Sequence, residues 1–298
     1  MKSFEEELEQ IKSIFGRHLV VMTWFEGNRD RQGIFLRNDA FSPCIASGTL
    51  ICCEHHEGQL WGILTAGHVI GDYQNRRATT QSVADNHRIW DGWIEATNSI
   101  ENWMPFNPFD WPSSFIDSAE EGIDCGVVLL PKFYLKPMSQ RMVGWSSADF
   151  PESSKVVGYV ILGEPFRNAR IETFGSNQSG VDELVYVPQP KLVFVEEVDP
   201  LPEYALCPRK QFFGQIRFRE ELPDIRGMSG GPIFRILESE DGRITYQPAA
   251  IQSRWRSTSR IIIGTEYPTS YEWCIQNLKS LFENLGETER HQYLIDLS

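Results

Sequence analysis

The sequence predicts an all-β fold with one helix at each end, and three observations predict it. Short β-prone runs recur through most of the chain, separated by Gly, Pro, Asn and Asp, the punctuation of antiparallel barrels. Apolar residues at helical spacing are confined to the two ends. A hairpin is legible where residues 47–53 and 59–65 flank the polar link Glu54-His55-His56-Glu57-Gly58.

Taking the elements in order, residues 3–16 read as a helix. Ser3 and Glu6 form a capping box, Phe4, Leu8, Ile11 and Phe15 make one apolar stripe, and Gly16 stops it. It reads as a helix tidying a terminus, with a partner-binding arm as the other use. A strand follows at 18–25, then a polar loop and the hairpin, whose second strand delivers His68 into a tight turn. His55 and His56 sit at the hairpin tip, where no third ligand converges in sequence, so no metal site is expected. Residues 71–121 are less regular and rich in Trp and Pro; they either shape a substrate cleft or pack over the body.

Composition turns polar at 135–153, which reads as a linker. Strands resume at 155–162, 183–187, 192–195, 212–218, 232–236, 246–253 and 260–264. Residues 268–285 then carry Tyr271, Ile275, Leu278, Leu281, Phe282 and Leu285 at helical spacing, stopped by Gly286.

With 298 residues the chain can hold one large or two modest domains. Hydrophobic residues are 41% and charged residues 23%, ordinary for a globular protein. The net charge of −13, from 28 basic and 41 acidic residues, argues against a nucleic-acid partner. No run approaches the roughly 20 apolar residues that span a bilayer, so no membrane partner is expected. The six cysteines lack zinc spacing, and the start of the chain is acidic instead of leader-like. Reduced cysteines, a cytoplasmic location and no cofactor are the expectations.

The chemistry concentrates at Arg226-Gly227-Met228-Ser229-Gly230-Gly231-Pro232. Glycines at φ > 0 can aim consecutive backbone N–H groups into one space, suited to a developing oxyanion. A serine needs a base, and His68 follows the apolar run Trp61-Gly62-Ile63-Leu64-Thr65-Ala66-Gly67. Asp124 opens the apolar strand Val127-Val128-Leu129-Leu130; Asp110 and Asp117 compete with it but lack such a strand behind them.

Thr65-Ala66-Gly67-His68, Asp124 before its strand, and Gly227-Met228-Ser229-Gly230-Gly231-Pro232, in that order, resemble the trypsin/chymotrypsin superfamily of serine proteases, in the form of a bacterial-type intracellular trypsin-like peptidase. The resemblance implies two antiparallel six-stranded-type barrels (chymotrypsin-like). The implied divisions are 1–17 (helix), 18–145 (first barrel, with His68 and Asp124), 146–266 (second barrel, with Ser229) and 267–298 (helix and tail). It implies a His68–Asp124–Ser229 triad and an oxyanion hole from the N–H groups of Gly227 and Ser229. Substrate would lie against Pro223, Ser253, Arg254 and Trp255. Pro223 at the base of the primary pocket offers no acid, though Asp224 is adjacent, so an apolar or small side chain is expected beside the cut.

Met228 stands where secreted relatives carry an acid that pairs with a cut N-terminus, so control must come from elsewhere, for example a regulatory protein partner or ordering of the oxyanion loop. Stress response or phage defence would suit a regulated intracellular peptidase. The expected partner is a protein or peptide substrate. A silent peptide-binding module is the alternative, and an esterase is disfavoured because the serine comes last in a β chain.

Overall fold

The computed structural model describes residues 14–28, 42–79, 82–91, 103–138, 142–145, 155–166, 170–176, 182–216, 224–239 and 244–295. The chain forms two β units. The first is a seven-stranded antiparallel sheet, built from β1 (Val20–Asn28), β2 (Ser42–His55), β3 (Gly58–Thr65), β4 (Ser82–Asp91), β5 (Trp103–Pro105), β6 (Ser113–Ser118) and β7 (Ile123–Leu129). Their order is β5-β4-β1-β2-β3-β7-β6. The second is a closed barrel of β8 (Lys155–Gly163), β11 (Lys191–Glu197), β12 (Gln211–Gln215), β13 (Pro232–Glu238), β14 (Ile244–Arg256) and β15 (Ile261–Glu266). A separate hairpin, β9 (Arg170–Ser176) with β10 (Asp182–Val187), completes the strands.

Closure of the first unit is a correction to the sequence reading, which predicts two closed barrels. Among the described residues β5 and β6 form the free edges and do not pair. β5 is three residues long and ends in Pro105, which has no N–H to continue a ladder. β6 is instead covered by helix α1 (Gly67–Thr79), where Gly71 leaves room for the Phe115 ring and Gly126 for Ile70. Helix α1 is a second correction: His68 lies in the first turn of a 13-residue helix, not in a tight turn.

The predicted N-terminal helix lies outside the described residues except for its last turn at 14–16, where Phe15 packs on Phe234 and Tyr246. Of the predicted linker, residues up to 138 belong to helix α2 (Lys132–Met138), and Trp145 pairs with Ile51 of the first sheet. Helix α3 (Tyr267–Glu283) follows the barrel as predicted, and a one-turn helix α4 (Glu287–Arg290) comes after it. Helix α3 buries Tyr267, Tyr271, Cys274, Leu278 and Phe282, and its Tyr271 hydroxyl donates to Cys52 O at 2.9 Å. Gly62 has no side chain because Leu278 occupies that space. The barrel's last helix thereby packs against the first sheet, in a core that contains side chains from both units.

Candidate active site

His68 and Asp124 come together from adjacent elements of the first unit. β3 pairs with β7, Thr65 opposite Gly126, which puts the start of α1 beside Asp124. Gly67 has no Cβ because Ile116 O and Cys125 O press on that position. Asp124 is 1% exposed, so its charge must be met by hydrogen bonds. Its Oδ1 accepts from the His68 N–H at 3.0 Å, and its Oδ2 lies 2.8 Å from His68 Nδ1. The Asp124 N–H donates to Thr265 Oγ1 of the barrel at 2.9 Å, which fixes the strand that carries the carboxylate. Burial alone would lower the His68 pKa; the hydrogen bond and charge of Asp124, aided by Asp117 and Asp72, outweigh it and hold it above the ordinary imidazole value.

Asp117 stands directly across the β6–β7 ladder from Asp124 but is engaged by Arg254 Nη2 at 2.9 Å. Asp110 is exposed at the end of a short 3-10 helix (Pro108–Asp110) before β6. The structure thus gives His68 the carboxylate that the strand pattern picks out.

Ser229 sits on the other unit, in the loop before β13, and lines the same cleft as His68. Among the described residues its hydroxyl makes no hydrogen bond, to His68 or to any other group. Gly227 (φ 95°) and Gly230 (φ 85°) take backbone conformations that side chains rarely adopt. The peptides around them are trans, so each carbonyl points opposite to the N–H of the same unit. Arg226 O accepts from the Phe166 N–H at 2.7 Å, which turns the Gly227 N–H the other way. Met228 O accepts from the Gly231 N–H at 2.8 Å and does the same for the Ser229 N–H. Neither of those two N–H groups has an acceptor among the described residues. A pair of fixed, unspent donors beside a serine is the arrangement an oxyanion needs.

Ser47 joins the two units beneath this loop. Its N–H donates to Ser229 O at 2.9 Å and its hydroxyl to Gly227 O at 3.2 Å. The same hydroxyl accepts from the Glu164 N–H at 3.1 Å, and Ser47 O accepts from Thr65 Oγ1 at 2.7 Å. A Cβ on Gly230 would collide with Ser47 O and Thr65 Oγ1. Sequence reasoning missed Ser47, Glu164 and Phe166, because Glu164 and Phe166 act through backbone N–H groups and the partners of all three are distant in the chain: Ser47 lies 117 residues from Glu164 and 180 from Gly227.

Two recesses flank His68 and Ser229. One, of about 710 Å³, is lined by Asp117, Tyr204, residues 224–226 and residues 252–257. The other, of about 380 Å³, is lined by Trp24, Ile45, Val69, Phe166 and Gly227 among others. Ser253, Arg254 and Trp255 all border the larger one, whereas Pro223 lies outside the described residues. Another recess of similar volume, which shares Tyr204 and is lined by residues 197–200 and 207–211, lacks both His68 and Ser229. At the hairpin tip, donor atoms of His55, His56 and Glu57 lie within 4.8 Å of one another, but Glu57 also pairs with Arg290 at 3.5 Å.

Fold and site together define a mainly β protein whose cleft, between a closed barrel and an antiparallel sheet, holds a His–Asp pair and a glycine-flanked serine. No family model matches the chain, and no curated protein matches it. Among solved structures the chain is similar to a Glu endopeptidase in complex with MPD, at 11% identity over 87% of this chain and 90% of that one, with a TM-score of 0.39. It is also similar to Deg5, at 11% identity over 91% and 94% of the two chains, with a TM-score of 0.39. A mutant of human heparin binding protein (CAP37) aligns at 13% identity over 92% and 94%, with a TM-score of 0.41.

Proposed function

We propose that the protein is a serine endopeptidase of the trypsin-like kind. The observation that carries this reading is the pairing of a buried Asp124, bonded to the partly exposed His68, with a serine whose neighbouring N–H groups are held open. Ser229 Oγ attacks the peptide carbonyl while His68 Nε2 takes its proton, and the carbonyl oxygen becomes an oxyanion received by the Gly227 and Ser229 N–H groups. The C–N bond then breaks, and His68 returns the proton to the departing amine. Water, deprotonated by His68, attacks the acyl-enzyme and frees the acid and Ser229.

Asp124 keeps the imidazole in the tautomer with Nδ1–H, leaving Nε2 free to act as base. The missing Ser229–His68 hydrogen bond fits a resting site, since such bonds often tighten only around substrate. It is also the one observation that favours the second reading, a groove that binds peptides without cutting them. Recesses on both sides of the serine suit an endopeptidase, with chain extending either way from the cut. The proposed substrate is a protein or peptide, and a cytoplasmic, partner-regulated role is part of the same proposal.

The test is covalent. A fluorophosphonate should label wild-type protein at Ser229, and Ser229→Ala should abolish both labelling and peptide turnover with thermal unfolding almost unchanged. An unlabelled wild type, or a Ser229→Ala protein with full turnover, would refute the proposal.

A further inference from the structure

We infer that the larger recess recognises a carboxamide, so that the residue before the cut bond is Gln or Asn. The inference rests on the peptidase reading above and names the substrate class of the same site.

Most polar groups around the recess are already engaged within the protein. Asp224 accepts from the Arg226 N–H at 3.0 Å and from Arg226 Nε at 2.6 Å, so its charge is met within the protein. Arg254 is engaged by Asp117 at 2.9 Å and Arg256 by Glu203 at 2.8 Å. Ser253 Oγ donates to Ile263 O at 3.1 Å. Each charged group in that set has an opposite charge beside it, which disfavours both a Lys or Arg and a Glu or Asp side chain in the recess.

Two groups remain. Gln252 is 1% exposed, and its Oε1 has no hydrogen-bond partner among the described residues. Trp255 Nε1 is likewise buried without one. Both residues line the recess. A buried polar atom left unpaired is destabilising, and folded proteins carry few of them.

The strand register puts the two on one side. Positions 252 and 255 would face opposite ways in a regular strand, but the β14–β15 ladder slips between Gln252 and Arg254. Gln252 therefore stands opposite Gly264, and Trp255 opposite Ile262. Those partners are two apart on β15 and so share a face, with a spacing of roughly 7 Å. The recess wall thus offers an amide and, one pleat along, an indole N–H.

A primary carboxamide complements both. Its NH₂ donates to Gln252 Oε1 and its carbonyl accepts from Trp255 Nε1, with no charge brought into the recess. An amide also complements an amide when oxygen and nitrogen exchange places, so the match survives either orientation of the Gln252 side chain. An apolar side chain would fill the recess but leave both groups unpaired, which replaces the apolar preference expected from Pro223.

The test uses the full chain and peptides that differ only in the residue before the cut: Gln, Asn, Met, Leu, Glu and Lys. Gln is expected to exceed its near-isostere Met, and also Glu, by at least about tenfold in kcat/KM, because a site that hydrogen-bonds its substrate rejects an analogue lacking those bonds. Gln252→Met should lower the Gln-to-Met ratio towards one, the Trp255 donor alone remaining, and an unchanged ratio overturns the role of Gln252. Equal turnover of the Gln and Met peptides by wild type, or a clear preference for Leu, Glu or Lys, overturns the inference. Fluorophosphonate labelling does not depend on this side chain, so labelled protein without a Gln preference sinks this inference alone. Unlabelled protein sinks it together with the peptidase reading.

Discussion

The two halves of the cleft are held by different means. On the His68 side, side chains do the positioning: both oxygens of one buried carboxylate bond one residue, through its N–H and its ring. On the Ser229 side the backbone does it. Four consecutive carbonyls, from Arg226 to Ser229, are each held by a donor, and two glycines take φ values closed to other residues. A side-chain device sets a proton's location, whereas a backbone device sets the direction of a dipole. General base catalysis needs the first and oxyanion stabilisation the second. The two halves should therefore fail differently.

The largest effect should come from the His68 half. Asp124→Asn keeps the shape but offers Nδ1 the wrong partner, so kcat should fall by about 10,000-fold, the scale of a wrong imidazole tautomer. The raised His68 pKa places the acid limb of kcat/KM above the ordinary imidazole value in wild type, because His68 must be neutral to act as base. Removing the carboxylate's charge should move that limb to lower pH. A limb that stays in place would mean that another group sets the charge on His68.

The Ser229 half should lose less, and only in the transition state. Ser47→Ala removes the hydroxyl that accepts from Glu164 N–H and donates to Gly227 O, leaving two backbone groups unpaired, one of them buried. Ser47 touches no substrate, so it is a positioning residue. The expected result is kcat down about 10- to 100-fold, near or below the cost of one lost oxyanion donor, with KM within about threefold. Affinity for a boronic-acid peptide should fall in step with kcat. A purely structural role would lower the melting temperature without that split.

How much of this was legible in the sequence follows the same division. The His68 half could be read, because a carboxylate ahead of an apolar strand and a histidine after one are local patterns. The serine loop could be read too, since glycines advertise their φ. Ser47 could not: nothing local marks a serine whose partners lie 117 and 180 residues away. Helix α1 was hidden because its polar stretch Asp72-Tyr73-Gln74-Asn75-Arg76-Arg77 has little apolar periodicity and is held by packing on β6 and β7. Closure of the first unit was implied by family resemblance alone, and β5 proved too short and too proline-bound to supply it.

The smallest effect should appear at Glu164, where the two halves meet and side-chain and backbone roles part company. Its N–H belongs to the frame beneath Gly227, whereas its carboxyl is fully buried and, among the described residues, neither oxygen has a hydrogen bond of ordinary length. Burial raises its pKa from 4.5 to about 8, with the Gln189 backbone N–H and Lys191 pulling the other way. The unfolded chain gives up this proton near 4.5, while the folded chain keeps it until about 8. Between those values the folded state binds more protons, so stability falls as pH rises. Glu164→Gln should abolish that slope: little difference from wild type near pH 5, and a gain on the order of a few kcal/mol in urea unfolding by pH 8. Because the N–H is untouched, turnover at pH 7 should stay within about twofold. Loss of turnover without a change in the stability slope would assign the carboxyl, and not just its backbone, to the frame that holds the oxyanion loop.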